Sequence, residues 1–572
     1  MKLRNLIASA SAALIASLSL SHAQLSQQPL TEVIKAPTGT PNTSKNWRVP
    51  MITWGADLQE IEANGGLKTS PNSIFGSKGL TIELFRQDDF RKQVELYKKG
   101  EINFLRGTVG MLNAASELLN TDPATEFEVI YLLSRSNGGD ALVAKQHIKT
   151  IKDLKGATIA VQAYGPHVDY MSTILRSAGL SIKDVKVVWC PDLFLVDENS
   201  KSPILALEGS GVDAAFGIIP EALAATSDGT VGSGAEGSIK GAHILLSTKS
   251  ASNVIYDVYA VRKSFATQHK QEVEKFVNGM LVAREKLAKK MANQDPATLK
   301  RGAQILLDDP SATEDMLGMY KDAAQATWSE NKAFLNSPHG RNLLQVSDKV
   351  QEDFVTMGLL SRKHKITSNI INFDALKQGL TNTSEQKAAT FDAAKRDELL
   401  RKKQQKGALS EGELYSFEIY FQPGQNNFPA SQYEQEFAKA LELISIYGGA
   451  ILTVEGHSDP LGYLKNKYKQ KAAPIVLQKQ KQAALNLSYS RANAVKSSLM
   501  DFAKSNQLVI DESQFGVIGH GIVHPNFKLD SNGDIDKSNA PKTKEEWNRM
   551  RRVKFRLVQV EAEAEVFEPL GL

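Results

Sequence analysis

At 572 residues the chain is long enough for three or four structural units with sizeable cores. Hydrophobic residues make up 42% and charged residues 23%, the balance of a globular chain rather than a disordered or fibrous one. A net charge of +4 is too small to imply nucleic acid, and Cys190, the only cysteine, excludes an internal disulfide and a multi-cysteine zinc site.

The chain opens with Lys2 and Arg4, an apolar run from Leu6 to Leu20 and a small-residue exit at Ser21-His22-Ala23. That pattern predicts a secretory signal over 1–23, removed before Gln24. Its apolar core is too short for a membrane span, and no cysteine follows it to take a lipid. Residues 24–46, polar and rich in Pro and Thr, read as a flexible lead-in.

From Trp47 onward strand and helix signals alternate. Val49 to Trp54 is a short apolar run leading to Asp57, and Leu80 to Phe85 is a second strand. Phe90 to Lys99 predicts a helix, then Ile102 to Leu105 a strand closed by Arg106-Gly107-Thr108. Thr158 to Val161 is another strand, followed by Ala163-Tyr164-Gly165-Pro166-His167 and a helix to Ala178. Val185 to Trp189 and Ala214 to Ile219 continue the series, the βαβ rhythm of a mostly parallel sheet. Helical signals dominate from Phe265 to Gly379. Residues 381–412 are polar and charged, and predict a linker.

Three phrases in this region, GLTIEL at 79–84, IKDLKGATIAV at 151–161 and ALEGSGVDAA at 206–215, resemble by their order the periplasmic solute-binding proteins of the nitrate/sulfonate/taurine and pyrimidine-precursor type. The resemblance spans 47–380. It implies two α/β lobes that close over a small polar solute, with an ABC-type permease as partner. The chain would cross to the second lobe near Asp140 to Lys145 and return near Tyr256 to Val261. Ligand contacts would come from strand ends facing the cleft. Trp54 and Tyr164 are candidates for stacking on a planar ligand, Asp57 and Glu221 for holding an amine or amide. Thr108 ends a strand, and Gly165 and His167 sit in a turn that opens a helix and could present N–H groups to an anion. Asp169, in that same first turn, opposes a simple oxyanion. For each of these the bland reading, a core aromatic or a solvated carboxylate, stays open.

In the last region Phe417, Ile419 and Phe421 alternate with polar residues, and Tyr433, Phe437, Leu441 and Ile444 line one helix face. Leu452 and Val454 mark a strand. Ser488 reads as a helix N-cap with Arg491 in the first turn, and Val553, Phe555 and Leu557 form a final strand. The order is βαβαβ. The lysine-rich excursion from Tyr463 to Asn486 reads as a solvated loop. Asp530 to Asp536 hints at calcium, but Ile535 stands where a glycine is needed and no Glu closes a loop of twelve. No metal and no cofactor are expected.

Gly456-His457-Ser458-Asp459, Leu487-Ser488-Tyr489-Ser490-Arg491-Ala492 and Met550-Arg551-Arg552-Val553 resemble the three ordered motifs of OmpA-like peptidoglycan-associating domains, with Ser458 in place of Thr and Met550 in place of Asn. The resemblance covers 413–562, before a tail at 563–572. It implies that Asp459 grips the ammonium and Arg491 the carboxylate of diaminopimelate in cell-wall stem peptides. Gly456, His457, Ser488, Arg551 and Arg552 complete the motifs. The expected protein is therefore a non-enzymatic, exported binding protein of a Gram-negative-type periplasm. Its fold would be a two-lobed α/β periplasmic binding unit followed by a smaller α+β OmpA-like domain, held non-covalently to peptidoglycan, with no nucleic-acid partner. The alternative is a structural or sensory envelope protein whose first module reports ligand to a partner. An enzyme like the pyrimidine-precursor synthases would need a cysteine-rich motif that Cys190 alone does not supply.

Overall fold

The computed structural model describes residues 27–559, apart from 196, 198, 235–236, 385–390, 509 and 524–540. The expected signal segment with its cleavage point, the acidic run Asp530–Asp536 and the tail 563–572 lie outside the described residues. The chain divides into two units, Met1–Gln386 and Lys387–Leu572.

In the first unit the apolar runs become β1 (Asn46–Met51), β2 (Thr81–Arg86), β3 (Phe104–Thr108), β4 (Phe127–Ser136), β5 (Asp140–Ala144), β6 (Thr158–Gln162), β7 (Lys186–Cys190), β8 (Ala214–Ile218), β9 (His243–Ser247), β10 (Tyr256–Arg262) and β11 (Ala323–Gln325). β1 and β2 pair in parallel, Val49 opposite Leu84. A second sheet runs β11-β4-β10-β3 with every pair antiparallel. The third runs β7-β6-β8-β5-β9. It is parallel at β6/β7 and β6/β8 and antiparallel around β5.

These sheets define two lobes. The chain passes from β4 into β5 through residues 137–139 and returns from β9 to β10 through residues 248–255. The expected crossings, near 140–145 and 256–261, lie just past these segments, inside β5 and β10, and the mostly parallel sheet is corrected. The outgoing strand β4 and the returning strand β10 run side by side in opposite directions, so the first lobe's central sheet is antiparallel. β4 is buried at every position except Arg135, because helices cover both faces.

The helical tail packs on the first lobe. Helix Lys270–Ala292 buries Val273, Phe276, Val277, Met280, Leu281 and Leu287, the three- and four-residue spacing of one apolar face. Phe276 stacks on Phe75 at 5.2 Å and meets Phe104 at 5.3 Å. The lead-in reading is also corrected for its described part. Leu30 and Ile34 are buried in the same core, and the carbonyl of Asn42 accepts from the Asn103 amide at 2.7 Å. Among the described residues no helix is long and apolar enough to cross a membrane.

The second unit carries β12 (Glu413–Tyr420), β13 (Ile451–Gly456), β14 (Phe515–Gly519) and β15 (Arg552–Val558) in the order β12-β15-β13-β14. Only β13 and β14 are parallel. The expected βαβαβ is thus one strand short. β14 is a five-residue run with two glycines, too brief to announce itself. The lysine-rich excursion is not a loop. It is helix Leu461–Tyr468 followed by the first half of a 32-residue helix, Pro474–Ser505.

The linker reading 381–412 fails in its second half. Helix Ala393–Lys406 is capped by Asp392, and its Leu399 and Leu400 are buried with Phe391, Leu409, Ile451 and Ile518. Two leucines on an otherwise charged helix form too narrow a stripe to stand out in composition. A fragment covering 387–572 should therefore unfold in one cooperative transition. One beginning at Gly412 lacks Phe391, Leu399 and Leu400, each contributing about 2 kcal/mol of burial. Its chemical-denaturation stability should fall by roughly 5 kcal/mol, and equal stability of the two fragments would contradict this packing.

Candidate functional site

The first unit is built around a buried charge cluster where the chain leaves β1, ends β3 and re-enters on β10. Arg106 on β3 is fully buried. Its guanidinium grips Asp57 with two prongs, Nη2 to Oδ2 at 2.7 Å and Nε to Oδ1 at 3.2 Å. Its Nη1 donates to Asp257 Oδ1 at 2.9 Å, and Asp257 Oδ2 accepts from Ser134 Oγ at 2.8 Å. Trp54 Nε1 in turn donates to Ser134 Oγ at 3.2 Å. Burial pushes both aspartates up, and Arg106 opposes the rise. Burial also lowers the Arg106 guanidinium, but the two carboxylates outweigh it and raise it overall. Burial together with the nearby Asp57 drives Glu60 well above the usual carboxylate range, and it accepts from Tyr259 OH at 2.5 Å.

This corrects the reading of Asp57 as a ligand group. Both of its oxygens are taken by Arg106, and Oδ1 also accepts from the Ile52 amide at 2.9 Å. Thr108 is likewise structural. Its Oγ1 accepts from the Met111 amide at 3.2 Å and caps helix Val109–Leu119.

The other candidates meet along the boundary between the lobes. Trp54 lies over Gly139, in the segment that crosses to the second lobe, where a side chain would collide with its ring. Tyr164 takes a left-handed backbone, φ 61°, donates to the Gln28 carbonyl at 2.9 Å and lies 5.6 Å from the Arg91 guanidinium. Gly165 packs against the Gln162 side chain. His167 is buried, with Nε2 2.7 Å from Asp140 Oδ1. Glu221 accepts from the Leu195 amide at 2.7 Å and is pushed up by burial.

Three carboxyl groups there were missed as sites or undervalued. Asp140 opens β5 and pairs with His167. Burial and the charge of Asp140 push Asp322 up to about 6. Burial pushes Asp169 up to about 7, against its own helix N–H groups and Arg341. Asp169 comes from the second lobe, yet its carboxyl group lies against Gly110 in the first turn of helix Val109–Leu119. Arg176, two turns further on, pairs with Asp353 of the tail. Each of these residues is a lone acid or base far in sequence from its partner, and only the Asp169 position carried a signal, its place in a helix's first turn.

In the second unit, the turn after β13, the long helix and the start of β15 converge. Gly456 ends β13 at a point where the Ser488 carbonyl leaves no room for a side chain. His457 donates its backbone N–H to the Arg552 carbonyl at 2.8 Å. Asp459 Oδ2 is 3.2 Å from Arg551 Nη1, and its Oδ1 accepts from the Leu461 amide at 3.1 Å. Arg551 also donates to the Phe421 carbonyl at 3.1 Å, while Arg552 pairs with Glu418 at 3.0 Å.

Two expectations are corrected here. Ser488 is no N-cap: it lies buried mid-helix, donating to the Leu485 carbonyl and accepting from the Gly521 amide. Arg491, expected in the first turn of a helix, instead lies within the long helix and is fully buried. Its guanidinium donates to the carbonyls of Gln425 at 2.8 Å, His457 at 3.0 Å and Gln422 at 3.3 Å. Burial pulls it down to about 10, while nearby Asp459 pushes it back up and Arg551 down. The arrangement brings one carboxylate and two guanidiniums together, with Asp459 paired to Arg551.

Beside this group, Glu455, His457 and His520 place potential ligand atoms within 4.8 Å of one another. The two imidazoles stack face to face, 4.6 Å apart and 3° from parallel, so their in-plane lone pairs cannot converge on one ion. Glu455 is already held by Arg556 at 2.7 Å and Thr453 at 2.9 Å. As arranged, the trio is not a metal centre.

Residues 75–291 match the family model described as NMT1/THI5 like. No curated protein matches the sequence. Among solved structures, the chain is similar to the alkanesulfonate-binding protein SsuA from Xanthomonas axonopodis pv. citri bound to MOPS, at 15% identity over 56% of this chain and 95% of that one, with a TM-score of 0.38. It is similar to the periplasmic aliphatic sulphonate binding protein SsuA from Escherichia coli at 14% identity, over 57% and 96%, with a TM-score of 0.40. Similarity to the periplasmic nitrate-binding protein NrtA from Synechocystis PCC 6803 is 11%, over 62% and 94%, with a TM-score of 0.40.

Two measurements check this geometry. Arg106→Ala leaves Asp57 and Asp257 buried without their partner and should cost about 3–5 kcal/mol, read as a lowered unfolding midpoint of the first unit. Asp169 keeps its proton to about pH 7 when folded but releases it near 3.8 when unfolded. Between those values the folded state binds more protons, so stability falls as pH rises, by about 4 kcal/mol across the window for this group. Asp169→Asn should flatten that part of the profile, and an unchanged slope would show that Asp169 is not its source.

Proposed function

We propose that the chain is an exported solute-binding protein tethered to the cell wall. The first unit takes up a small polar solute between its lobes, and the second holds peptidoglycan stem peptides. The observation that carries the first half is the two-lobed architecture with its double crossing, with Trp54, Tyr164, His167, Glu221, Asp140 and Asp322 gathered at the lobe boundary. The match of 75–291 to the NMT1/THI5 like family, and the periplasmic binding proteins named above, agree with that reading. An ABC-type permease is the partner such a receptor would serve.

The second half rests on the convergence of Asp459, Arg491 and Arg551. Asp459 has acceptor capacity left after Arg551 and the Leu461 amide, enough for an ammonium. Arg491 uses three of its five N–H groups on carbonyls, leaving two for a carboxylate. Together they suit the zwitterionic end of diaminopimelate. Because Arg491 is buried, it is also a packing residue, and Asp459 is the cleaner probe.

Asp459→Asn in the 387–572 fragment should reduce pelleting with purified peptidoglycan roughly ten- to a hundredfold, from the loss of one charge-assisted interaction of about 1.5–3 kcal/mol. Its unfolding midpoint should fall only modestly, since the asparagine can still accept from the Leu461 amide and Arg551 keeps the Phe421 carbonyl. Arg491→Lys should lose both binding and stability, since an ammonium cannot reach three carbonyls at once. Undiminished pelleting by a folded Asp459→Asn would end the tethering reading. A thermal-shift screen of the 27–384 fragment against small metabolites tests the receptor half, for which at least one solute should raise the midpoint.

A further inference from the structure

Helix N-termini favour anions, because their first N–H groups lack acceptors and the aligned peptide dipoles are positive there. At the lobe boundary two such ends meet. Helix Val109–Leu119 of the first lobe begins right after β3, and helix Val168–Ser177 of the second lobe begins right after His167. The group between them is the chain's own. Asp169, 1% exposed, packs its carboxyl group on Gly110, where any side chain would collide with Oδ1. That Oδ1 has no hydrogen-bond partner despite its burial. We propose that the carboxyl group of Asp169 is a built-in occupant of the place between the two helix ends where an oxyanion would otherwise bind, so that the first unit selects solutes without one.

The surroundings point the same way. Asp140, Glu221 and Asp322 bring three more carboxyl groups to the same boundary, and Oε2 of Glu221 is buried without a partner. The cation facing Asp169 is Arg341, which donates to the Asn253 carbonyl at 2.9 Å and to Tyr256 OH at 3.2 Å. Asp353, the other charge it feels, is engaged by Arg176. With Asp169 removed, two helix ends and Arg341 would face the vacated space together. With it present, an incoming anion meets a buried carboxyl group already seated there. A solute with N–H donors and no oxyanion fits this lining, and Gly110 is the residue that makes room for the device. The inference rests on the reading of the first unit as a solute receptor.

The test is calorimetric titration of inorganic sulfate into the full chain at constant ionic strength and pH 8, above the value of about 7 to which burial raises Asp169, for wild type, Asp169→Ala and Asp169→Asn. Asp169→Ala should bind sulfate saturably and at least about tenfold tighter than wild type, and Asp169→Asn, which keeps the bulk and removes the charge, should fall between them. If the alanine variant fails to fold, the asparagine variant decides alone, and it should still exceed wild type. Wild type binding sulfate as tightly as the variants, or folded variants gaining none, would overturn the proposal. Failure of the receptor reading shows separately: sulfate binding gained on substitution while no small metabolite stabilises the wild-type 27–384 fragment would leave the anion seat standing without a receptor.

Discussion

The first unit depends on one buried guanidinium. Arg106 joins Asp57, which follows β1, to Asp257 at the start of β10, the strand that brings the chain back from the second lobe. Two carboxylates and one guanidinium leave the group short of positive charge, and Ser134 donates to the one oxygen Arg106 does not reach while the Ile52 amide adds a second donor on Asp57 Oδ1. Such a cluster adds little net stability compared with apolar packing of the same volume. What it contributes is specificity of arrangement: any other register of β3 against β10 strands a charge in the core. The base of the first lobe is thereby fixed at the point from which the crossing segments depart.

From that fixed base the lobes meet through polar contacts together with a few apolar ones, Tyr164 and Trp189 of the second lobe packing against the first lobe's core. Arg91 lies over Tyr164, Arg176 pairs with Asp353, and Asp169 rests on Gly110. Only Val168 from the helix 168–177 joins the large apolar core of the first lobe. A boundary held by charge and hydrogen bonds exchanges its partners for water at small net cost, whereas an apolar seam would resist separation.

The second unit solves a different problem. Its long helix must bring Arg491 to the end of β13, and it does so by packing Ser488 so close to the strand that only Gly456 fits beneath it. Burying Arg491 desolvates its charge, and three carbonyls offset the cost. The guanidinium is thereby held in one orientation.

Sequence patterning determined the alternating elements of the first lobe and the final strand, and ordered motifs marked the Gly456, Arg491 and Arg551 segments that meet in the second unit. Those features rest on local periodicity or on ordered motifs, which the chain carries within short windows. Tertiary structure alone decided the rest. It turned the central sheet antiparallel, because strand direction depends on where the chain returns. It drew the helix 393–406 and the residues 27–46 into cores, since two or three apolar side chains become a packing face only beside a partner. It also reassigned roles: Asp57 went from ligand group to buried counter-ion, Arg491 from a helix-start residue to a buried one, and Asp169 from a turn residue to the buried carboxyl group against Gly110. The environment of a charge, and so what it can bind, is set by residues fifty or a hundred positions away, and no local pattern contains them.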